Sequence, residues 1–406
     1  MILTQTTAML VDAYRELNSK KMFWISLILS ALVVASIACV GINNKGLTVL
    51  WWTISLDILN TSLLSPASFY KFVFIQFGFN FWLAWIASIL ALISTASIIP
   101  DLVAGGSIEL SLSKPIARVR LFLTKYATAL LFTGLQVGVF TLASFLVIGI
   151  RGGSWEWSIF LAIPLVLLFF SFIYCVCALL GLITRSTIAA LLLSVLFWFF
   201  LFLLNTSERT VLLFKINAED RIASAERELG NLPELITRSK DRIVTFSTPK
   251  EGETDAERLR REANKATEEA KLAGHELRVN TRQQSLTEYK STQATLDKWH
   301  GMLFGVKSVF PKTAETMGLL ERQLTSLNEF QKFSDAQEER EDDRRSRRRG
   351  NTSGVTVESN EPSPSVARKV EEVLRSRSVF WVLGTSVMFE ALVLFICCAI
   401  FVRRDF

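Results

Sequence analysis

The stretch IIPDLVAGGSIELSLSKPIARVRLFLTKY, residues 98–126, gathers charge and special backbone residues between two long apolar segments. Its acids are Asp101 and Glu109, and its cations are Lys114, Arg118, Arg120 and Lys125. The chemistry this arrangement suits is docking and the transmission of force. Pro100 is expected to end the helix before it, because the residue preceding a proline disfavours the α region. Gly105 and Gly106 allow a sharp turn. From Ser107 a short helix can form that carries Glu109 and stops before Lys114 and Pro115. Arg118, Arg120 and Lys125 then ring the mouth of the next apolar segment.

Few other residues could do chemistry. Glu390 falls near the middle of the last apolar segment, where an acid is costly unless it faces protein or water. Two roles are open to it: a functional site, or a clamp hydrogen-bonded to a neighbouring helix. A proton relay would need a second acid or a histidine in such a segment, and neither is visible. The two histidines, His275 and His300, lie in the polar part of the chain. Cys39, Cys175, Cys177, Cys397 and Cys398 all fall in apolar segments, so the sequence contains no disulfide framework and no metal-finger spacing. Cys175 and Cys177, two apart, would point about 200° from each other on a helix. The sequence has no G-x-x-x-x-G-K-[ST] phosphate loop and no zinc-binding H-E-x-x-H. The chain is therefore not expected to be an enzyme, and it is assigned no metal or cofactor of its own.

Membrane-length helices would position these residues. Half of the 406 residues are hydrophobic, and the mean hydropathy is positive. Apolar stretches near 22–41, 78–99, 121–149, 158–183, 187–205 and 380–402 reach the roughly 20 residues needed to cross a hydrocarbon core of about 30 Å. The third is long enough to require tilt or an interfacial start. With both termini in the cytoplasm, Arg15, Lys20, Lys21, Lys114, Arg118, Arg120, Lys125, Arg185, Arg403 and Arg404 lie inside, against Lys45, Lys71 and Arg151 outside. That imbalance is a positive-inside signal. A seventh crossing at 47–64, interrupted by Asp57, would reverse it. Those residues are expected at the outer surface, anchored by Trp51 and Trp52, with Asn80 near the outer edge of the second span. A cleaved leader is not expected, because about twenty largely polar residues precede the first span.

Residues 1–21 space Leu3, Thr7, Leu10, Tyr14, Leu17 and Lys21 by fours and threes, as an amphipathic helix in the cytoplasmic interface would. Residues 206–378 hold 31 Lys/Arg and 30 Asp/Glu, a nearly neutral insertion that the topology places outside the cytoplasm. Within 206–337, Leu259, Ala263, Ala266, Ala270, Ala273 and Leu277 keep a heptad spacing. Ile222, Leu229, Leu232, Ile236 and Ile243 form a second stripe, interrupted by Pro233. Together they predict a helical hairpin with its turn near 247–255 and a break near 280. The apolar run at 299–313 is too short to cross. Residues 338–365, charge blocks followed by Ser, Pro and Gly, are expected to be a disordered linker rather than a nucleic-acid patch. Residues 366–406 lead into and form the last span. The fold class is an all-α polytopic membrane protein.

The opening stretch resembles the membrane subunits of type-2 ATP-binding-cassette (ABC) transporters. The resemblance rests on Gly106-Ser107-Ile108-Glu109, the leucine-rich run ending Ser113-Lys114-Pro115, Ile116-Ala117-Arg118, and Leu123-Thr124-Lys125-Tyr126. It covers about 25 residues, and the six spans and interfacial N-terminal helix agree with it. It implies a coupling helix at 99–115, within a cytoplasmic loop 99–120, seated on a separate ATPase subunit that binds ATP-Mg. It further implies a homo- or heterodimer of membrane subunits in the inner membrane, in contact with lipid, exporting or extracting a substrate. The departure is the insertion 206–378, far larger than that family's outer loop. A second expectation treats the chain as a non-transporting scaffold or mechanotransmission protein that works through the outer hairpin.

Overall fold

A computed structural model describes residues 21–44, 46–55, 65–103, 117–249, 254–324 and 364–403. They divide into two compact units: one from Met1–Asn205, Val306–Phe333 and Arg377–Phe406, the other from Thr206–Gly305 and Ser334–Ser376.

In the first unit, helix α1 (Lys21–Cys39) leads into three short antiparallel strands, β1 (Val40–Asn43), β2 (Gly46–Val49) and β3 (Trp52–Ser55), in the order β1-β2-β3. These strands are short exceptions in a set of described residues that is otherwise overwhelmingly helical, as an all-α membrane protein requires. Val40, Ile42, Thr48, Val49, Trp52 and Thr53 are residue types that favour a pleated surface over a helix. Trp51 and Trp52 at the β2–β3 turn are 81% and 77% exposed.

Helix α2 (Pro66–Val73) starts as a capped helix should: the Ser65 hydroxyl accepts from the Ser68 backbone N–H at 3.2 Å, and Pro66 sits where no N–H is needed. It continues as a wide-turned π-helix (Phe74–Ala87) and then as α3 (Ser88–Thr95) and α4 (Ile98–Val103). Asn80 therefore lies inside this segment rather than at its edge. The position of the break also differs from expectation. Pro100 sits within α4, and the chain bends at Ala96–Ser97. A proline has no N–H to give the carbonyl four residues earlier, and its ring crowds that carbonyl, so the disruption falls at Ala96.

Helix α5 (Arg118–Gly152) ends on Gly153, whose φ of 72° is left-handed. A 3₁₀ turn (Trp157–Leu161) opens α6 (Ala162–Thr184). Helix α6 is apolar on every side because it is buried on nearly every side, which places Cys175 and Cys177 both in the interior. The unit is completed by the start of α7 (Thr187–Ser247), the end of α8 (Asp255–Val309), α9 (Thr313–Leu324) and α11 (Val379–Arg403). Its core is rich in fully buried aromatic rings, including Phe74, Phe122, Phe140, Phe170 and Tyr174. Among the described residues, six helical segments are long and apolar enough to cross a membrane: Lys21–Cys39, Pro66–Val103, Arg118–Gly152, Trp157–Thr184, Thr187–Ser247 and Val379–Arg403.

The second unit pairs the remainder of α7 with the remainder of α8 and adds α10 (Pro364–Ser376), whose Val366 and Val370 bury against Leu212 and Ile216 of α7. Helix α7 passes through Pro233, and α8 passes through 280 without a break. In α7 the expected stripe is the covered one, with Ile222 and Leu232 buried and Leu229, Ile236 and Ile243 half-buried. In α8 the register is corrected. Leu259, Ala263, Ala266, Ala270, Ala273 and Leu277 are all exposed. The covered stripe is Arg261, Lys265, Glu268, Leu272, His275 and Val279, with the same 4-3 spacing on the opposite side of the helix. Four ion pairs cross between the two helices in this register. Arg282 meets Glu228 at 2.7 Å, Lys290 meets Glu226 at 2.9 Å, Lys215 meets Asp297 at 2.8 Å, and Arg242 meets Glu268 at 3.3 Å.

Candidate functional site

Of the expected coupling residues, Gly105, Gly106, Ser107, Glu109, Lys114 and Pro115 lie outside the described residues, as does the interfacial helix at 1–20. The structure does place what flanks them. On one side Asp101 is exposed in the short helix α4. On the other, Arg118 and Lys125 are half-buried in the first turns of α5.

Arg118, Phe122 and Tyr126 are spaced by four, so they share one face of α5. That face grips the last helix. The Arg118 Nη1 donates to the Val402 carbonyl at 3.4 Å, and the Phe122 ring lies 5.7 Å from that of Phe401. The buried Tyr126 hydroxyl stands 2.8 Å from Glu390 Oε1 and 3.1 Å from the Ser171 carbonyl oxygen. From α6, the Ser171 hydroxyl reaches Glu390 Oε2 at 2.9 Å. Both carboxyl oxygens of Glu390 are thus held by hydroxyls from two different helices. The sequence pointed to Glu390 but not to its partners. The available signal was Tyr126 itself, which closes the Lys125-Tyr126 pair eight positions after Arg118, on the same helix face.

The same cluster reaches the other flank. The rings of Tyr126 and Tyr174 lie 5.3 Å apart, and the Tyr174 hydroxyl donates to the Thr95 carbonyl at 3.4 Å, one residue before the bend. Beyond the bend, Pro100 packs onto Gly181 of α6, where an added Cβ would stand 3.1 Å from the proline ring. Both ends of the undescribed segment 104–116 therefore rest on α6, and the end at α5 also holds α11.

A second polar cluster lies where α8 gives way to α9. Glu315 Oε1 pairs with Lys307 and, at 2.7 Å, with Arg377, while Lys307 also donates to Asn205 Oδ1 at 2.6 Å. Lys312, 1% exposed, donates from Nζ to the carbonyls of Ser308 and Phe310 at the end of α8 and lies 4.7 Å from the centre of the Trp381 ring. Its backbone N–H donates to Ser386 Oγ of α11 at 2.9 Å. Burial pushes the Lys312 ammonium down to about 8, with Lys307 adding to that push and Glu315 resisting it. Among the described residues, no group of three or more His, Cys, Asp or Glu side chains could hold a metal ion.

Compared with protein-family models, with curated proteins and with solved structures, the chain matches none.

Proposed function

We propose that this chain is the membrane-spanning subunit of an ABC-type transporter, driven by a separate ATPase seated on residues 99–115. The six long apolar helices are read as spans, both termini as cytoplasmic and residues 206–378 as extracytoplasmic. Two copies, or this chain and a related one, would form the membrane part in the inner membrane and move a substrate outward or extract it from the bilayer. The observation that supports this most directly is the grip of Arg118, Phe122 and Tyr126 on α11 at Val402, Phe401 and Glu390. A push delivered to a segment fastened in this way would be passed to the last helix, because packed helices shift as units rather than deform.

The test is a mild-detergent purification of the tagged chain from its host, followed by an ATPase assay, with and without Glu109→Ala combined with Arg118→Ala. A stoichiometric ATPase whose association or stimulation is lost in the double variant would support the reading. A second reading, that of a scaffold working through the hairpin of α7 and α8, is favoured by one observation: that hairpin and α10 form a compact unit of their own. Capture of envelope protein on residues 206–378, with no ATPase, would replace the first reading with the second.

A further inference from the structure

A narrow crevice lies between α1, the π-helix, α3, α5 and α6, its apolar walls interrupted by Ser30, Ser88, Thr133 and Gln136 and completed by Leu83 and Val166 among others. No ionisable side chain lines it. Two of its hydroxyl protons are committed, and a third hydroxyl serves as an acceptor. Ser88 donates to the Leu83 carbonyl at 2.7 Å and Thr133 to the Ala129 carbonyl at 3.1 Å, while Ser30 accepts from Trp82 Nε1 at 3.2 Å. Gln136 is different. It is 4% exposed, and its Nε2 has no hydrogen-bond partner. Ser26 Oγ, one turn from Ser30, and the Thr141 and Ser144 hydroxyls further along α5 are also buried without a partner.

Buried polar atoms in native structures are almost always paired, so a group of unpaired ones calls for an explanation. In a helix read as crossing lipid, a glutamine ordinarily bonds to a neighbouring helix, and the Gln136 Nε2 does not. As it stands, the cleft is too narrow to hold a water molecule. Water therefore cannot satisfy the Gln136 amide in this arrangement, and the helices must part before anything can. One wall has the means to do so. Leu83 belongs to the π-helix, a wide-turned backbone that is rare and recurs at functional sites. Returning its turns to the α spacing would re-aim that wall.

We infer that this cleft is the closed form of a binding site for an uncharged ligand carrying a hydrogen-bond-accepting oxygen, such as an ester or amide carbonyl or a hydroxyl. The Gln136 amide donates to that oxygen, and the hydroxyl oxygens of Ser88 and Thr133 keep lone pairs for any donor beside it. The inference rests on reading these helices as spans, and it gives the proposed transporter a cargo class. A charged cargo group would find no counter-charge here.

The experiment uses the full chain in native membranes, with its five cysteines replaced and single cysteines introduced as Gln136→Cys, Ser30→Cys and Leu135→Cys. Leu135 neighbours Gln136 on α5 but is 42% exposed, on the side read as facing lipid. The probe is a small charged methanethiosulfonate, which does not enter hydrocarbon because stripping its charge of water is too costly. The Gln136→Cys and Ser30→Cys chains should react at least about tenfold faster than Leu135→Cys, because a site that opens becomes hydrated. Equal, slow rates at all three positions would overturn the inference. A second measurement tests the unpaired amide itself. Gln136→Leu should raise the melting temperature of the purified chain by removing an unpaired buried donor, and a fall would show that the amide is bonded in the fold and overturn the inference. Neither readout uses the ATPase, so failure to find one leaves both results interpretable.

Discussion

Tyr126 and Glu390, 264 positions apart in the chain, meet at 2.8 Å through a phenol and a carboxyl. The bond joins the helix that leaves the charged stretch 98–126 to the last helix of the chain. Removing the hydroxyl with Tyr126→Phe keeps the ring against Tyr174 but deprives Glu390 Oε1 of its donor. Leaving a buried polar group unsatisfied costs about 1–3 kcal/mol. Resistance to unfolding in detergent should fall accordingly. With Glu390→Met present, the Tyr126 hydroxyl keeps only the Ser171 carbonyl at 3.1 Å, so Tyr126→Phe should cost less there than in the unmodified chain. A coupling of about 1 kcal/mol in that double-mutant cycle is expected, and additive losses would show that the contact contributes nothing.

Glycine substitutions separate the packed part of the fold from the open part. At Gly181 an added Cβ would stand 3.1 Å from the Pro100 ring, so the ring must yield. Gly181→Ala should cost about 1–3 kcal/mol, the usual penalty for overpacking. By displacing α4, it should also weaken any partner that binds the following segment. Gly230 lies within helix α7 with nothing near an added Cβ. Gly230→Ala should therefore stabilise the chain by about 0.5–1 kcal/mol through helix propensity alone. Chemical unfolding of the two variants, followed by circular dichroism, would move in opposite directions.

The hairpin shows where the sequence was readable and where it was not. Long apolar runs announce themselves, and each falls on a helical segment of the described residues, with its bounds shifted by capping and by the π-helix. Stripe spacing, by contrast, could not select a face of α8. The alanine stripe and the covered stripe share one 4-3 rhythm, and the apolar one is the exposed one. The face that is covered carries charge pairs with α7, as in Arg282 with Glu228 and Lys290 with Glu226, and pairing across 54 or 64 positions leaves no local signature. Strands β1 to β3 were hidden because each is only four residues long, too short for an alternating pattern to stand out. Glu390 stood out as an acid in a greasy run, whereas Ser171, its partner, resembles any other hydroxyl in a helix.

That register makes a clear prediction. Leu232 is 2% exposed and Leu277 is 67% exposed, although the sequence places both on hydrophobic stripes. Leu232→Ala should cost about 2–5 kcal/mol, the range for truncating a buried leucine. Leu277→Ala should stay within about 0.5 kcal/mol, as exposed substitutions do. Limited proteolysis across a denaturant series would read both. If Leu277→Ala proved the costlier change, α8 would have to turn its alanine stripe toward α7.

The buried ammonium of Lys312 gives the fold a dependence on alkaline pH whose sign can be worked out. A free lysine titrates near 10.4, whereas burial in the folded chain brings Lys312 down to about 8. Below pH 8 both states carry the charge, and the folded state bears the full cost of burying it. As pH rises from about 8 toward 10.5, the folded chain has released its proton while the unfolded chain still holds it. The unfolded state then binds more protons, so stability rises with pH across that window and gains nothing further above it. Lys312→Met keeps the backbone N–H that donates to Ser386 and the packing on Trp381 but removes the titrating group. The variant should be the more stable chain at pH 7, and its stability should lose the rise between pH 8 and 10.5 that the unmodified chain shows. A melting-temperature series over that range is the check, and parallel curves for the two chains would mean that Lys312 is solvated rather than buried.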